Sequence, residues 1–262
     1  MTDAASLHRA VHGDGAPTVL IHGTATDGDS WLTQIATLKG AKLLTYDRRG
    51  TPRSPLPEGA VGWSVEQHAD ELIELIDAEL GGKPTVAIGS SFGAVVALEA
   101  ARRKTGHIAA LVLIEPPLPE ADDAPTMPES YQSTFEMVAE RDGGPAAGAF
   151  FLRSVIGKEA FEAMPERWRE RACQLYPQIR LDTAALSEYR PRYAELAELK
   201  VPTLLVGGAK SALHFRATLH ALARAMPEAR LEVMPKAGHM LHAEAARDFA
   251  KLVAELTAGL PG

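Results

Sequence analysis

Four short apolar runs punctuate the chain: Thr18-Val19-Leu20-Ile21, Thr85-Val86-Ala87-Ile88, Leu111-Val112-Leu113-Ile114 and Thr203-Leu204-Leu205-Val206. Each is too short for a helix and is rich in Leu or β-branched residues. Their apolarity is continuous rather than alternating, which predicts strands covered on both faces, as in a parallel sheet. Residues 43–46 and 231–234 predict two further strands, and residues 8–12 an antiparallel edge strand.

Helical patterns fall between these runs. Ser64-Val65-Glu66-Gln67 has the form of a capping box, in which Ser64 and Gln67 satisfy each other's free backbone donors. Leu72, Leu75, Ile76 and Leu80 then share one face, and Gly81-Gly82 ends the helix. Residues 94–104 predict a second helix. A last one spans 242–260, with Ala246, Phe249, Ala250, Val253 and Leu256 along its inner stripe. Alternation of strand and helix predicts a doubly wound α/β sheet.

Residues 116–200 break that alternation. Pro116, Pro117, Pro119, Pro125 and Pro128 open the region, and helical patterns follow at 131–140, 146–156 and 159–179. The expected parse is a core of residues 1–115 and 201–262 with a helical cap or lid inserted at 116–200. Phe135, Met137, Phe150, Phe151, Phe161 and Trp168 supply apolar surface there. Such residues serve packing more often than a pocket.

Composition narrows the chemistry. In 262 residues, 46% are hydrophobic and 23% charged, as in a globular protein. A net charge of −7 offers nucleic acid no basic surface. Arg167, Arg169 and Arg171 are interleaved with acidic residues and read as a solvated helix face. Cys173 is the sole cysteine, so no intrachain disulfide forms, and it reads as an idle thiol. The start, Met1-Thr2-Asp3-Ala4-Ala5-Ser6, lacks the basic and apolar runs of a signal peptide. No apolar segment reaches the ~18 residues of a membrane span. A cytoplasmic protein without membrane partners is the expectation. No His/Cys/carboxylate spacing suits a metal, and no cofactor is implied.

One pentapeptide carries the chemistry. Gly89-Ser90-Ser91-Phe92-Gly93 fits G-x-S-x-G and lies between a strand and a helix, where the pattern demands. Only Ser91 has both glycines two residues away. A sharp strand-to-helix turn needs small neighbours and presents the hydroxyl at a helix N-terminus, which favours developing negative charge. Acyl transfer also needs amides aimed at the forming oxyanion. The amides of Phe92 and of Thr24, in Leu20-Ile21-His22-Gly23-Thr24, are the candidate donors. His22 is expected to hold that turn rather than act as a base. Near the C-terminus, His239 in Ala237-Gly238-His239-Met240 sits on a loop able to reach the nucleophile. His242 is its rival, expected instead in a capping or surface role.

His22-Gly23, Asp47-Arg48-Arg49-Gly50, Gly89-Ser90-Ser91-Phe92-Gly93 and Gly238-His239 together resemble the α/β-hydrolase superfamily over nearly the whole chain apart from the lid. The resemblance implies a mostly parallel central sheet flanked by helices, a helical cap, and a Ser-His-acid triad at the C-terminal strand edge. Two departures stand out. Pro52 replaces the second glycine that often follows the Arg-Gly turn. The usual acid position reads Gly207-Gly208-Ala209-Lys210-Ser211, and no Asp or Glu occurs between Val206 and Pro227. Glu115 fills that gap, directly after the strand that follows the nucleophile helix. Leu113-Ile114-Glu115-Pro116-Pro117 resembles the L-x-E-P-P turn of an esterase-like branch, and the prolines stiffen the backbone beside the carboxyl. Asp182 and Glu188 from the lid are the fallback acids.

The resulting expectation is two-step hydrolysis of a small-molecule carboxylic ester by Ser91, His239 and Glu115. Thioester, lactone or C–C bond hydrolysis on the same triad stays open, as does a non-catalytic ligand-binding homologue. Oligomeric state leaves no mark in the sequence.

Overall fold

The computed structural model describes residues 3–122, 124 and 129–260. Pro125, Pro128 and the first two residues lie outside them. Seven strands form one sheet: β1 (Arg9–His12), β2 (Ala16–Ile21), β3 (Ala41–Tyr46), β4 (Thr85–Ser90), β5 (Ile108–Ile114), β6 (Thr203–Gly208) and β7 (Ala229–Met234). Their order is β1-β3-β2-β4-β5-β6-β7; β1 is antiparallel to β3 and every other pairing is parallel. β4 and β6 are buried at every residue, which accounts for their unbroken apolarity.

Core helices cover both faces. They are α1 (Leu32–Thr37), α2 (Val65–Leu80) and α3 (Phe92–Arg103), while α4 (Glu129–Asp142), α5 (Gly144–Ile156), α6 (Lys158–Ala163), α7 (Glu166–Gln174), α8 (Tyr176–Glu188) and α9 (Tyr193–Leu196) lie between β5 and β6. α10 (Leu213–Ala225), α11 (Leu241–Glu244) and α12 (Ala246–Ala258) complete the chain. Leu72, Ile76, Val95 and Leu98 pack on one side of the sheet; Trp31, Leu241, Phe249 and Val253 pack on the other. The capping box of α2 is formed, and Gly81 closes that helix at φ 71°.

Some boundaries differ from the sequence expectation. α3 begins at Phe92, two residues earlier, because Ser91 itself makes the turn. The expected helix over 159–179 is three helices, broken at Pro165 and at Leu175, two residues before Pro177. A proline disfavours helical backbone in the residue before it, and Met164 is extended. The last helix is interrupted at Ala245, which leaves helical geometry at φ −132°. α10 is not among the predicted elements, although Phe215, Leu219 and Leu222 form its buried stripe. No described helix is long and apolar enough to cross a membrane.

A buried ion pair ties the N-terminal segment to α2. Arg49 donates to Glu71 Oε1 through Nε at 2.9 Å and Nη2 at 2.6 Å, and its Nη1 and Nη2 also reach Ser6 Oγ, Pro55 O and Asp3 O. Trp63 Nε1 donates to the second Glu71 oxygen at 3.1 Å. Burial pushes the Glu71 carboxyl up, and Arg49 opposes it. Arg49→Met would leave that carboxylate unpaired, and a loss of about 3–5 kcal/mol in unfolding free energy is expected in urea titrations.

His242 lies in the other half of the core. Its ring is buried against Trp31, with centroids 4.7 Å apart, and burial lowers its pKa from 6.5 to about 3. Between those values the unfolded chain binds a proton that the folded chain refuses. Stability is therefore intact above about pH 6.5 and falls as the pH drops toward 3. Buried His22 and His68, both held well below 6.5 by desolvation first, act in the same direction. Replacing His242 with Leu is expected to flatten the acid limb by up to about 1.4 kcal/mol per pH unit, read from melts between pH 4 and 7.

Candidate active site

β4 and β5 end level at one edge of the sheet, since Ser90 pairs with Ile114 and Ile114 with Val206, and β6 runs two residues further along that edge to Gly208. The residue after β4 is Ser91, and the residue after β5 is Glu115. Both adopt positive φ, 53° and 43°, a backbone region that side chains rarely occupy. Ser91 N–H donates to Ile114 O at 2.8 Å, and Glu115 N–H to Val206 O at 3.2 Å. Two strained turns are thus pinned to neighbouring strand ends. Backbone strain of this kind persists only where the surroundings hold it, and it concentrates at functional sites.

The turn at Ser91 is crowded. A Cβ on Gly93 would lie 2.1 Å from Ile21 O, and one on Gly89 would lie 2.3 Å from Gly93 O. Close backbone packing, rather than conformational freedom, demands both glycines. Ser91 is partly exposed, and its hydroxyl makes no hydrogen bond among the described residues.

His239 follows β7 and reaches back to the edge. Its Nδ1 donates to Glu115 Oε2 at 2.6 Å, with both side chains buried. The other carboxylate oxygen, Oε1, accepts from Gly208 N–H at 2.7 Å. The end of β6, where the common acid is missing, therefore supplies an amide to the carboxylate of Glu115. Phe215 lies flat on the imidazole, with centroids 4.3 Å apart and planes 20° apart, and fixes its rotation. His214 lies against Phe215 with its ring tilted by 43°; burial lowers its pKa, and His239 adds to the effect while Glu115 opposes it.

The turn after β2 presses on the same spot. A Cβ on Gly23 would come within 3.1 Å of Ser90 O and of Ser91 Cβ. Among the described residues, neither Thr24 N–H nor Phe92 N–H donates to a protein acceptor. His22 holds this turn: Nδ1 donates to Gly23 O at 2.8 Å, and Nε2 accepts from Arg48 N–H at 2.8 Å. Desolvation and the Arg48 charge keep the ring neutral, so it is no base.

Other sequence candidates lie elsewhere. His242 is neither a cap nor a surface residue; its ring is core, and its carbonyl accepts from Gln34 Nε2. Asp182 is bound to Arg48 and Thr24 rather than to a histidine. Glu188 is exposed. Cys173 is buried among the inserted helices, and burial raises its thiol pKa. Among the described residues, no three His, Cys, Asp or Glu side chains converge to hold a metal ion. Sequence reasoning did not find Phe215 or the Gly208 amide. A Phe five residues beyond a turn carries no local sign of its partner, and a backbone donor has no residue type at all.

The sequence model of the alpha/beta hydrolase family matches residues 18–252. Lipase LipV of Mycobacterium tuberculosis is 32% identical over 112 residues, 42% of this chain and 41% of its own. AB hydrolase superfamily protein YfhM of Bacillus subtilis is 25% identical, over 93% of this chain and 91% of its own. A thermophilic esterase structure from Thermogutta terrifontis superposes with a TM-score of 0.80 at 25% identity, covering 96% of this chain and 93% of that one. With a match of that span and this strand order, the chain belongs to the alpha/beta hydrolase family.

Proposed function

We propose that the chain is a serine hydrolase of carboxylic esters, with Ser91 as nucleophile, His239 as general base and Glu115 as the acid that orients it. The observation carrying this reading is the buried 2.6 Å hydrogen bond from His239 Nδ1 to Glu115 Oε2. It holds the proton on Nδ1 and leaves Nε2 with a lone pair, the tautomer needed to take a proton from a hydroxyl. Glu115 also stabilises the imidazolium that forms. A direct Ser91–His239 hydrogen bond is absent from the free site, and such contacts commonly tighten when substrate enters.

In the first step Ser91 Oγ attacks the ester carbonyl while His239 Nε2 accepts its proton. Thr24 and Phe92 amides receive the oxyanion, each contributing about 3 kcal/mol of transition-state stabilisation. His239 then protonates the departing alcohol, leaving an acyl-enzyme. Water, deprotonated by the same nitrogen, cleaves it in the second step. The inserted helices act as a lid over the strand edge, and their apolar residues favour a medium-sized hydrophobic acyl or alcohol group. Names of similar proteins support ester chemistry, since one is a lipase and another an esterase.

Turnover of p-nitrophenyl esters of graded chain length tests the reading. Ser91→Ala is expected to lower kcat ~10⁶-fold and to abolish labelling by a fluorophosphonate. Glu115→Gln is expected to lower kcat about 10⁴-fold. Near-normal turnover by the Glu115→Gln enzyme would remove Glu115 from its role. Faster cleavage of matched thioesters or lactones than of esters would move the substrate class.

A further inference from the structure

We propose that Asp182, on inserted helix α8, positions the Thr24 amide of the oxyanion turn by way of the buried Arg48 guanidinium. The inference rests on the ester-hydrolase reading above and adds a positioning pair to it.

Arg48 is fully buried, and its planar group is shared between the core and the insertion. On the core side, Nε donates to His22 O at 2.9 Å and Nη2 to Gly23 O at 3.1 Å. On the other side, Nη1 and Nη2 donate to Asp182 Oδ1 and Oδ2 at 3.0 and 2.8 Å. The guanidinium carbon also lies 4.4 Å from the Phe92 ring centroid. One rigid cation thus contacts both segments that supply the oxyanion donors. Its two-point grip on a carboxylate fixes its plane, as a single-point contact would not.

The planar peptide between Gly23 and Thr24 transmits this restraint. Its carbonyl accepts from Arg48 Nη2, from His22 Nδ1 and from Thr26 Oγ1 at 2.9 Å. In a trans peptide the N–H points opposite to the carbonyl. Holding Gly23 O toward the guanidinium therefore aims Thr24 N–H away from it, with no protein acceptor among the described residues.

Helix α8 grips the turn at three more points. Thr24 Oγ1 donates to Asp182 Oδ2 at 2.7 Å, and Gln178 Nε2 donates to Thr26 O at 3.1 Å. Ala25, at φ 60°, is buried in the apolar cluster of the inserted helices with Phe135 and Ile179. A turn left to β2 alone would have no reason to hold a non-glycine residue there. The insertion is thereby part of the catalytic frame as well as a cover for it.

Asp182→Asn would strand a buried cation and risks unfolding, so the double variant Arg48→Met/Asp182→Leu is the primary test. Removing both charges at similar volume often leaves stability unchanged. The expected result is a melting temperature close to wild type and backbone NMR order parameters in residues 22–26 lowered from about 0.85 to below about 0.6, with β4 and β5 unaffected. For an ester substrate kcat falls ~10- to 100-fold, while KM stays within about 3-fold, as for a misplaced donor. Thr24→Val keeps both charges and loses only the hydroxyl tie; its kcat is expected to fall ~3- to 10-fold. Unchanged order parameters in the 22–26 turn, or an undiminished kcat in the double variant, overturn the proposal. A wild type that cleaves no ester, while the order parameters of the turn still respond in the double variant, would instead remove the ester-hydrolase reading and leave the restraint on the turn standing.

Discussion

Parallel pairing of β4, β5 and β6 in matched register is the constraint on which the site depends. Ser90, Ile114 and Val206 stand side by side, so β4 and β5 end on one line and the last two residues of β6 run on past it. The same edge therefore receives Ser91 after β4, Glu115 after β5 and the Gly208 amide at the end of β6. A shift of one residue in any pairing would turn the corresponding side chains to the opposite face. Burial of β4 and β6 throughout, and of β5 at every residue but Ala109, makes such a shift costly, since it would break the apolar layers on both sides.

Charge is handled by a second principle. The guanidinium and carboxylate groups that the fold removes from water are matched locally. Arg48 meets Asp182, Arg49 meets Glu71, and Glu99 meets Arg102 and the Tyr189 hydroxyl. His22, His68 and His242 are kept neutral by burial instead. His239 differs from these three in having a carboxylate on Nδ1.

The contact between Glu115 and the end of β6 has a local logic. At the end of β6 the chain passes close to the 237–238 loop: a Cβ on Gly208 would lie 2.5 Å from both Ala237 O and Gly238 O. Glycine is therefore required at that position. The amide that remains there turns to the carboxylate arriving from β5 and helps to orient it. The strained φ of Glu115 and the two prolines behind it are the cost of bringing that carboxylate from the neighbouring strand.

Much of this was legible in the order of residues alone. Unbroken apolar runs set the strands and their parallel pairing, because only strands covered on both faces need apolar residues at every position. The glycines around Ser91, the Gly-His pair and the Glu-Pro-Pro turn marked candidate chemistry, because tight turns restrict residue type locally. Breaks in the inserted helices were only partly legible: Pro165 and Pro177 are visible, but which residue yields depends on packing. Tertiary structure alone decided the partners. Asp182 could be an acid beside a histidine or a counter-ion to Arg48 with the same local sequence, and His242 could be surface or core. Such choices turn on residues more than a hundred positions apart, brought together by sheet order and helix docking. Short-range pattern carries no information about which distant group fills the space across an interface.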